Sequence, residues 1–202
     1  MPKVTEAYLE TRRQHILDAA ITCFARKGFH QTTMEEIGQE AGLSPGVAYR
    51  YFDNKEDIIF ATIQDSLERW AHFYETQAEK EDTLRVLEQM LDDHLQRLEQ
   101  PGSDKYYKVR IQFWAEALQN PKVTEKASLL RQAAQEQLIT VIREGQEKGQ
   151  INPDLDANSV SLAITANHDG FILQWLADPN IDIWQYRTVF MVMMRGLSNH
   201  QG

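Results

Sequence analysis

Thr32-Thr33-Met34-Glu35-Glu36-Ile37-Gly38-Gln39-Glu40-Ala41-Gly42-Leu43-Ser44-Pro45-Gly46-Val47-Ala48-Tyr49-Arg50-Tyr51-Phe52, followed after Asp53 by Asn54-Lys55-Glu56-Asp57, is the stretch on which the reading of this chain turns. Thr32 and Thr33 each stand three residues before a glutamate, Glu35 or Glu36, in the arrangement of a capping box. A helix therefore starts after one of them and stops at Gly42. Ser44 offers an N-cap and Pro45 the fixed φ favoured at a first helical position, which predicts a second short helix running to about Phe52, where Asp53 and Asn54 break it. Two brief helices joined by Gly42-Leu43-Ser44 are a helix-turn-helix in outline. Met34, Ile37, Ala41, Leu43, Ala48 and Phe52 fall where such helices pack on each other and on a preceding helix, leaving Pro45, Gly46, Tyr49 and Arg50 outward. A glycine, a tyrosine and an arginine on one surface suit close approach to a DNA backbone, contact with thymine methyl or sugar, and charge-assisted bonds to guanine or phosphate. Lys55, at the start of the next helix, can reach the flanking phosphate. The bare outline also fits an ordinary corner between two helices of a bundle.

Outward from this stretch, apolar residues recur at helical spacing almost everywhere, with no run of alternating β-branched and aromatic residues bounded by hairpin turns. The chain is expected to be all-α. A helix over residues 11 to 27 carries Ile16, Leu17, Ala20, Ile21 and Phe24 on one face, with Gly28 placed to end it. A long helix from residue 55 to about 79 has Phe60, Ile63, Leu67 and Trp70 on a stripe, a rod of about 40 Å at ~1.5 Å per residue. Further helices are expected at 82–100, 103–119, 122–148, 156–176 and 181–197, separated by Pro101-Gly102, Asn120-Pro121, Gly149 with Asn152-Pro153, and Asp178-Pro179-Asn180. The organisation that follows is a DNA-binding domain over 1–54, with its helix-turn-helix at about 33–52, and a helical ligand-binding and dimerisation domain over 55–202.

Composition narrows the class. Over 202 residues, 42% apolar and 25% charged side chains with Gly 10 and Pro 6 describe a folded soluble chain rather than a collagenous or disordered one. The longest apolar run is the six residues from Val189 to Met194, against about 18 for a membrane span. Lys3, Glu6, Glu10, Arg12 and Arg13 leave no apolar core for a secretory signal, so a cytoplasmic protein is expected. The single cysteine, Cys23, excludes an internal disulfide and cannot by itself make a zinc site. The net charge of −9 weighs against a nucleic-acid partner until it is divided along the chain. Residues 1–56 carry seven Lys/Arg and eight Asp/Glu, so the acidic excess lies almost wholly in the rest.

The quoted stretch closely resembles the DNA-binding signature of the TetR family of transcriptional regulators, and Ile16-Leu17-Asp18-Ala19-Ala20 to Phe24 with Gly28-Phe29 matches that family's first helix. The resemblance implies roles for particular residues. Thr33 and Ser44 are implied as phosphate contacts, Gly46 as the point where the backbone meets DNA, and Tyr49 as a contact to phosphate and base methyls. Tyr51 is implied beside the DNA backbone, with plain packing as its other reading, and Lys55 as the lysine that completes the contact surface. Pro45 departs from the usual lysine, and Val47-Ala48 from a polar-then-leucine pair, so one phosphate contact is missing and Arg50 supplies the lost charge. More loosely, Phe113-Trp114-Ala115-Glu116-Ala117, Asn120-Pro121, Gly145 to Gly149 with Asp154 and Asp156, and Asp169-Gly170-Phe171 are similar to the ligand-binding region of choline-responsive, BetI-like regulators. That likeness is read as structural, with Asp156 a helix cap and Gly170 a close-packing point, and implies no choline ligand.

The implied function is a ligand-responsive regulator, mostly repressing in this family, that binds double-stranded operator DNA as a homodimer and yields to a small-molecule effector. The last two helices are apolar on more than one face and supply the dimer contact. Trp70, Phe113, Trp114, His168 and Trp175 are candidates for the effector pocket, suited to an apolar or cationic molecule. Asp92, Asp93 and His94 are consecutive on a helix and diverge, as do His168 and Asp169, so no metal site is assigned. His168 beside Asn167 reads first as a satisfied core hydrogen bond. With no nucleophile triad, phosphate loop or paired catalytic acid, neither an enzyme nor a cofactor is expected. The rival reading is an all-helical small-molecule carrier whose first three helices are purely structural.

Overall fold

The computed structural model describes residues 5–44, 46–77 and 82–198. Among these residues the chain is all-α, in the order α1 (Glu6–Lys27), α2 (Met34–Glu40), α3 (Lys55–Gln77), α4 (Thr83–Leu98), α5 (Ser103–Ala117), α6 (Pro121–Glu147), α7 (Ala157–Ala177) and α8 (Ile183–Arg195), with a 3₁₀ turn, Ala48–Arg50, between α2 and α3.

Helix α1 starts at Glu6, about a turn and a half before the expected start at residue 11. The Thr5 hydroxyl accepts the Tyr8 N–H at 3.3 Å and Glu6 places acid in the first turn. This added piece is exposed throughout, so it left no mark on the hydrophobic spacing. At the other end Gly28 adopts φ 82°, ψ 165° and gives its N–H to the Phe24 carbonyl at 2.8 Å, stopping the helix where expected. Aspartates start three later helices: Asp82 accepts from Leu84 and Arg85, Asp156 from Ser159, and Asp182 from Trp184 and Gln185. Asp156 is thus the cap it was read to be. The Ser159 hydroxyl also donates to it and holds its carboxyl below the ordinary range.

Within this chain Gly170 is not a close-packing point. It lies exposed on α7, and a Cβ added there meets nothing within 4 Å. The glycine that permits close packing is Gly145 in α6, whose added Cβ would stand 2.8 Å from Ile151 Cδ1 and 3.0 Å from Thr83 Cγ2. The chain leaving α6 folds back over this glycine, and Gln150 and Ile151 both donate to its carbonyl.

Two compact units are present, Met1–Ser66 with Asp104–Leu130 and Leu67–Ser103 with Arg131–Gly202. The first buries Ile16, Leu17, Phe24, Ile37, Ile58 and Phe113. In the second, Leu138, Ile142, Ile151 and Val160 form one cluster, while Phe190, Met191 and Met194 from α8 form another with Leu87, Leu91 and Ile164 around them. No helix among the described residues is long and apolar enough to cross a membrane.

Gly28 yields a direct test. Its φ, ψ pair belongs to a region open essentially to glycine alone, and no neighbour lies within 4 Å of an added Cβ, so the whole cost of Gly28→Ala falls on the backbone. Urea unfolding should show a loss of about 1–3 kcal/mol. An unchanged midpoint would contradict this end geometry.

Candidate nucleic-acid interface

The ambiguity between the two threonines resolves by burial. Thr33 is exposed, and its hydroxyl accepts the Glu36 N–H at 3.2 Å while the Glu36 carboxylate accepts the Thr33 N–H at 3.2 Å, a complete capping box. Thr32 is buried and donates its hydroxyl to the Gly28 carbonyl at 2.9 Å. At the far end of α2, Gly42 takes φ 68°, giving its own N–H to Gln39 at 3.0 Å, and the Leu43 N–H reaches Gly38 at 2.9 Å. These paired bonds turn the chain sharply out of the helix.

The second helix of the motif is not formed as expected. Instead of a helix from residue 44 to 52 there is one 3₁₀ turn, Ala48–Arg50, held by Val47 N–H to Ser44, Arg50 N–H to Val47 and Tyr51 N–H to Ala48. Gly46 at φ 83° is the cause: a residue in the left-handed region cannot belong to a continuous right-handed helix. The inside-outside division nevertheless follows the sequence. Met34, Ile37, Ala48 and Phe52 are buried and Ala41 and Leu43 half-buried, whereas Thr33, Ser44, Gly46, Tyr49 and Arg50 are exposed and Tyr51 is half-buried. Pro45 lies outside the described residues. Ala48 is 1% exposed and the adjoining Tyr49 47%, so the turn presents its next two side chains, Tyr49 and Arg50, to solvent.

Charge at this surface is mostly committed. Arg13 makes a two-pronged pair with Asp65 at 2.8 and 2.9 Å, Arg26 pairs with Glu40 at 3.1 Å, and Lys27 pairs with Glu36. Arg12 leans on the Tyr8 hydroxyl at 3.1 Å. Among the described residues, Arg50 has no carboxylate partner. The Tyr49 hydroxyl donates to Glu35 at 3.3 Å, and loss of solvation together with that carboxylate raises its pKa.

Lys55 is turned inward. Its ammonium donates to the carbonyls of Phe29 at 2.7 Å, His30 at 3.2 Å and Thr32 at 3.3 Å, and lies 4.5 Å from the centre of the Phe29 ring. Helix α5 holds the same loop from another direction: Gln112 accepts the Phe29 N–H at 3.1 Å and Glu116 meets the His30 ring at 2.9 Å. Neither α5 contact could be found from the sequence, because more than eighty residues separate the partners. Glu35 as the companion of Tyr49 was equally hidden, its only mark being its place in the first turn of α2.

The aromatic candidates fall into two groups. Phe113 and Trp114 belong to the first unit, in edge-on contact at 5.5 Å. Trp70, His168 and Trp175 belong to the second, where Trp70 stacks on Tyr74 and packs against two of the core clusters. His168 faces His94, Nε2 to Nε2 at 2.9 Å, while its neighbour Asn167 accepts from the Tyr186 hydroxyl at 2.6 Å. The three consecutive residues 92–94 go separate ways, Asp92 to Arg187, Asp93 to Arg97 and His94 to His168. No group of three or more metal-ligating side chains is gathered among the described residues.

Comparison with known proteins bears on both ends of the chain. Residues 16–62 match the family described as bacterial regulatory proteins, tetR family, and residues 80–192 match the C-terminal region of the BetI-type transcriptional repressor. The chain is 26% identical to the uncharacterized HTH-type transcriptional regulator YfiR of Bacillus subtilis, over 85% of this chain and 83% of that one. It is 29% identical to the HTH-type transcriptional regulator UidR of Escherichia coli, over 78% and 76% of the two chains. The solved structure of Salmonella enterica GusR superposes with a TM-score of 0.77 at 26% identity, covering 96% of this chain and 98% of that one.

The capping box is the anchor of α2, and it can be tested alone. Thr33→Ala should lower stability by about 1 kcal/mol and speed exchange of the Glu36 amide, whereas Thr33→Ser should restore most of both. Equal behaviour of the two variants would show that the hydroxyl bond contributes nothing.

Proposed function

The chain belongs to the TetR family of bacterial regulatory proteins, and from that premise we propose that it is a ligand-responsive repressor that binds a palindromic operator as a homodimer and is released by a small-molecule effector. The observation that carries the DNA reading is the 3₁₀ turn, which exposes Tyr49 and an arginine without a carboxylate partner beside a buried Ala48. Tyr49 and Arg50 read base edges or phosphate, Gly46 lets the backbone come close, and Thr33, Ser44, Pro45 and Tyr51 flank the contact. Among the described residues of this segment Arg13, Arg26 and Lys27 are paired with carboxylates, which leaves Arg50 as a charge the surface can offer.

Dimerisation is supported by apolar side chains left in water on α7 and α8. Leu162, Ala166, Gly170 and Leu173 recur at helical spacing on one exposed face of α7. On α8, Val189 is 60% exposed, Val192 64% and Met193 57%. Fully burying a side chain of this kind is worth about 1.5–3 kcal/mol, and a twofold mate of the same two helices would bury all of them in a four-helix contact. Two readers related by that axis require a palindromic site with half-sites about one DNA turn, ~34 Å, or a multiple of it apart. The effector is an apolar or cationic molecule, and the aromatic side chains that follow residue 55 suit either chemistry.

Selection of operators from random duplex DNA should return an inverted repeat. Arg50→Ala should then weaken binding by about 1–3 kcal/mol and relax preference at one base position. Placing aspartate at both Leu162 and Val192 should give a folded monomer by sedimentation and remove operator binding. A wild-type monomer at micromolar concentration, or an operator without symmetry, would overturn the dimeric reading.

A further inference from the structure

Lysine is an odd choice for the position that residue 55 holds. Asn54 caps α3 by accepting the Asp57 N–H at 2.9 Å, so Lys55 is the first residue of the helix, where unpaired N–H groups carry partial positive charge and a cation is disfavoured. The ammonium is stabilised there by turning away from the helix toward three carbonyl oxygens, those of Phe29, His30 and Thr32. Three donors meet three acceptors, the full capacity of the group. All three acceptors belong to the short loop that ends at Thr33, the cap from which α2 starts. The loop is otherwise held by Gln112 and Glu116.

We propose that Lys55 is a positioning residue for operator reading: its ammonium fixes the loop between α1 and α2, and through Thr33 the placement of α2 and of the turn bearing Tyr49 and Arg50, without pairing with a DNA phosphate. This rests on the operator-binding reading and assigns Lys55 a role opposite to that of a backbone contact. The two roles leave different signatures. A phosphate contact releases counterions, so its loss flattens the dependence of log affinity on log salt by about one unit and weakens all sequences alike. A misplaced reader loses the fit to base edges while the count of phosphate contacts stays the same. Arginine separates the roles further, since a planar fork keeps the charge but cannot reproduce a compact ammonium aimed at three converging carbonyls.

The test is a salt titration of the full-length protein on a selected operator and on a random duplex, for wild type, Lys55→Met, Lys55→Arg and Arg50→Ala, with each variant checked for folding by circular dichroism. Lys55→Met and Lys55→Arg should both lose about tenfold or more on the operator, the scale of one misread base pair, and little on the random duplex, with the wild-type salt slope retained. A slope flatter by about one unit in Lys55→Met overturns the proposal. So does a Lys55→Arg variant that binds like wild type, and this variant decides the matter alone if Lys55→Met does not fold. Arg50→Ala reports separately on the operator reading, and a wild-type chain that prefers no sequence overturns that reading itself.

Discussion

Gly38 and Ala48 meet where α2 passes the 3₁₀ turn, and the rest of the first unit's exposed surface depends on how little side chain there is between them. A methyl placed on Gly38 would already be 3.9 Å from both the Ala48 methyl and the Ser44 carbonyl oxygen. That is ordinary van der Waals contact, so the two segments lie about one methyl layer apart. Ala48 is buried there, and the two side chains that follow it, Tyr49 and Arg50, are exposed. What this surface shows to solvent is therefore set from beneath: interior packing decides which side chains are available outside. Glu35 and Tyr49 then join the same two segments on the outside by a hydrogen bond.

Most of the fold was legible because its punctuation is chemical and local. Gly28, Gly42 and the capping box at Thr33 announce helix ends through a few residues each, and the structure uses them as written. Asp156 worked in the same way. What misled was reading a permissive residue as a passive one. Ser44-Pro45 opens a helix by every local rule, yet Gly46 at positive φ interrupts it two residues in. Sequence shows that glycine can adopt such a φ, not that it does. Gly170 and Gly145 were confounded for a related reason: a missing side chain signals either a close neighbour or an empty one, and only the folded chain tells which.

The candidate site was legible in its outward residues and illegible in its supports. Tyr49 and Arg50 follow from a helix-turn-helix pattern with small and apolar neighbours. The direction of Lys55 does not, because a lysine at a helix start beside a DNA-binding motif is most simply read as a phosphate ligand, and the carbonyls that capture it lie more than twenty residues earlier. Gln112 and Glu116 are more distant still. Long-range polar contacts to backbone groups leave no periodic trace, since backbone carbonyls are the same at every residue. The aromatic residues carry a related ambiguity, since packing in a core and lining a pocket call for the same side chains: Phe113 is buried and Trp70 packs against a core cluster.

The Glu35 carboxylate beside Tyr49 has a consequence for how this protein searches a chromosome. It places negative charge beside the exposed turn, in a segment that is already close to neutral, and non-specific association with duplex DNA is almost wholly a matter of cations meeting phosphate. A segment whose seven Lys/Arg and eight Asp/Glu nearly cancel offers little long-range attraction to steer it toward a duplex. On the proposed reading, the contacts of Tyr49 and Arg50 to a matching site must supply the affinity that bulk charge does not. That reading implies short dwell times on random sequence, with few molecules held away from their target and discrimination that comes as much from rejecting the wrong DNA as from embracing the right one.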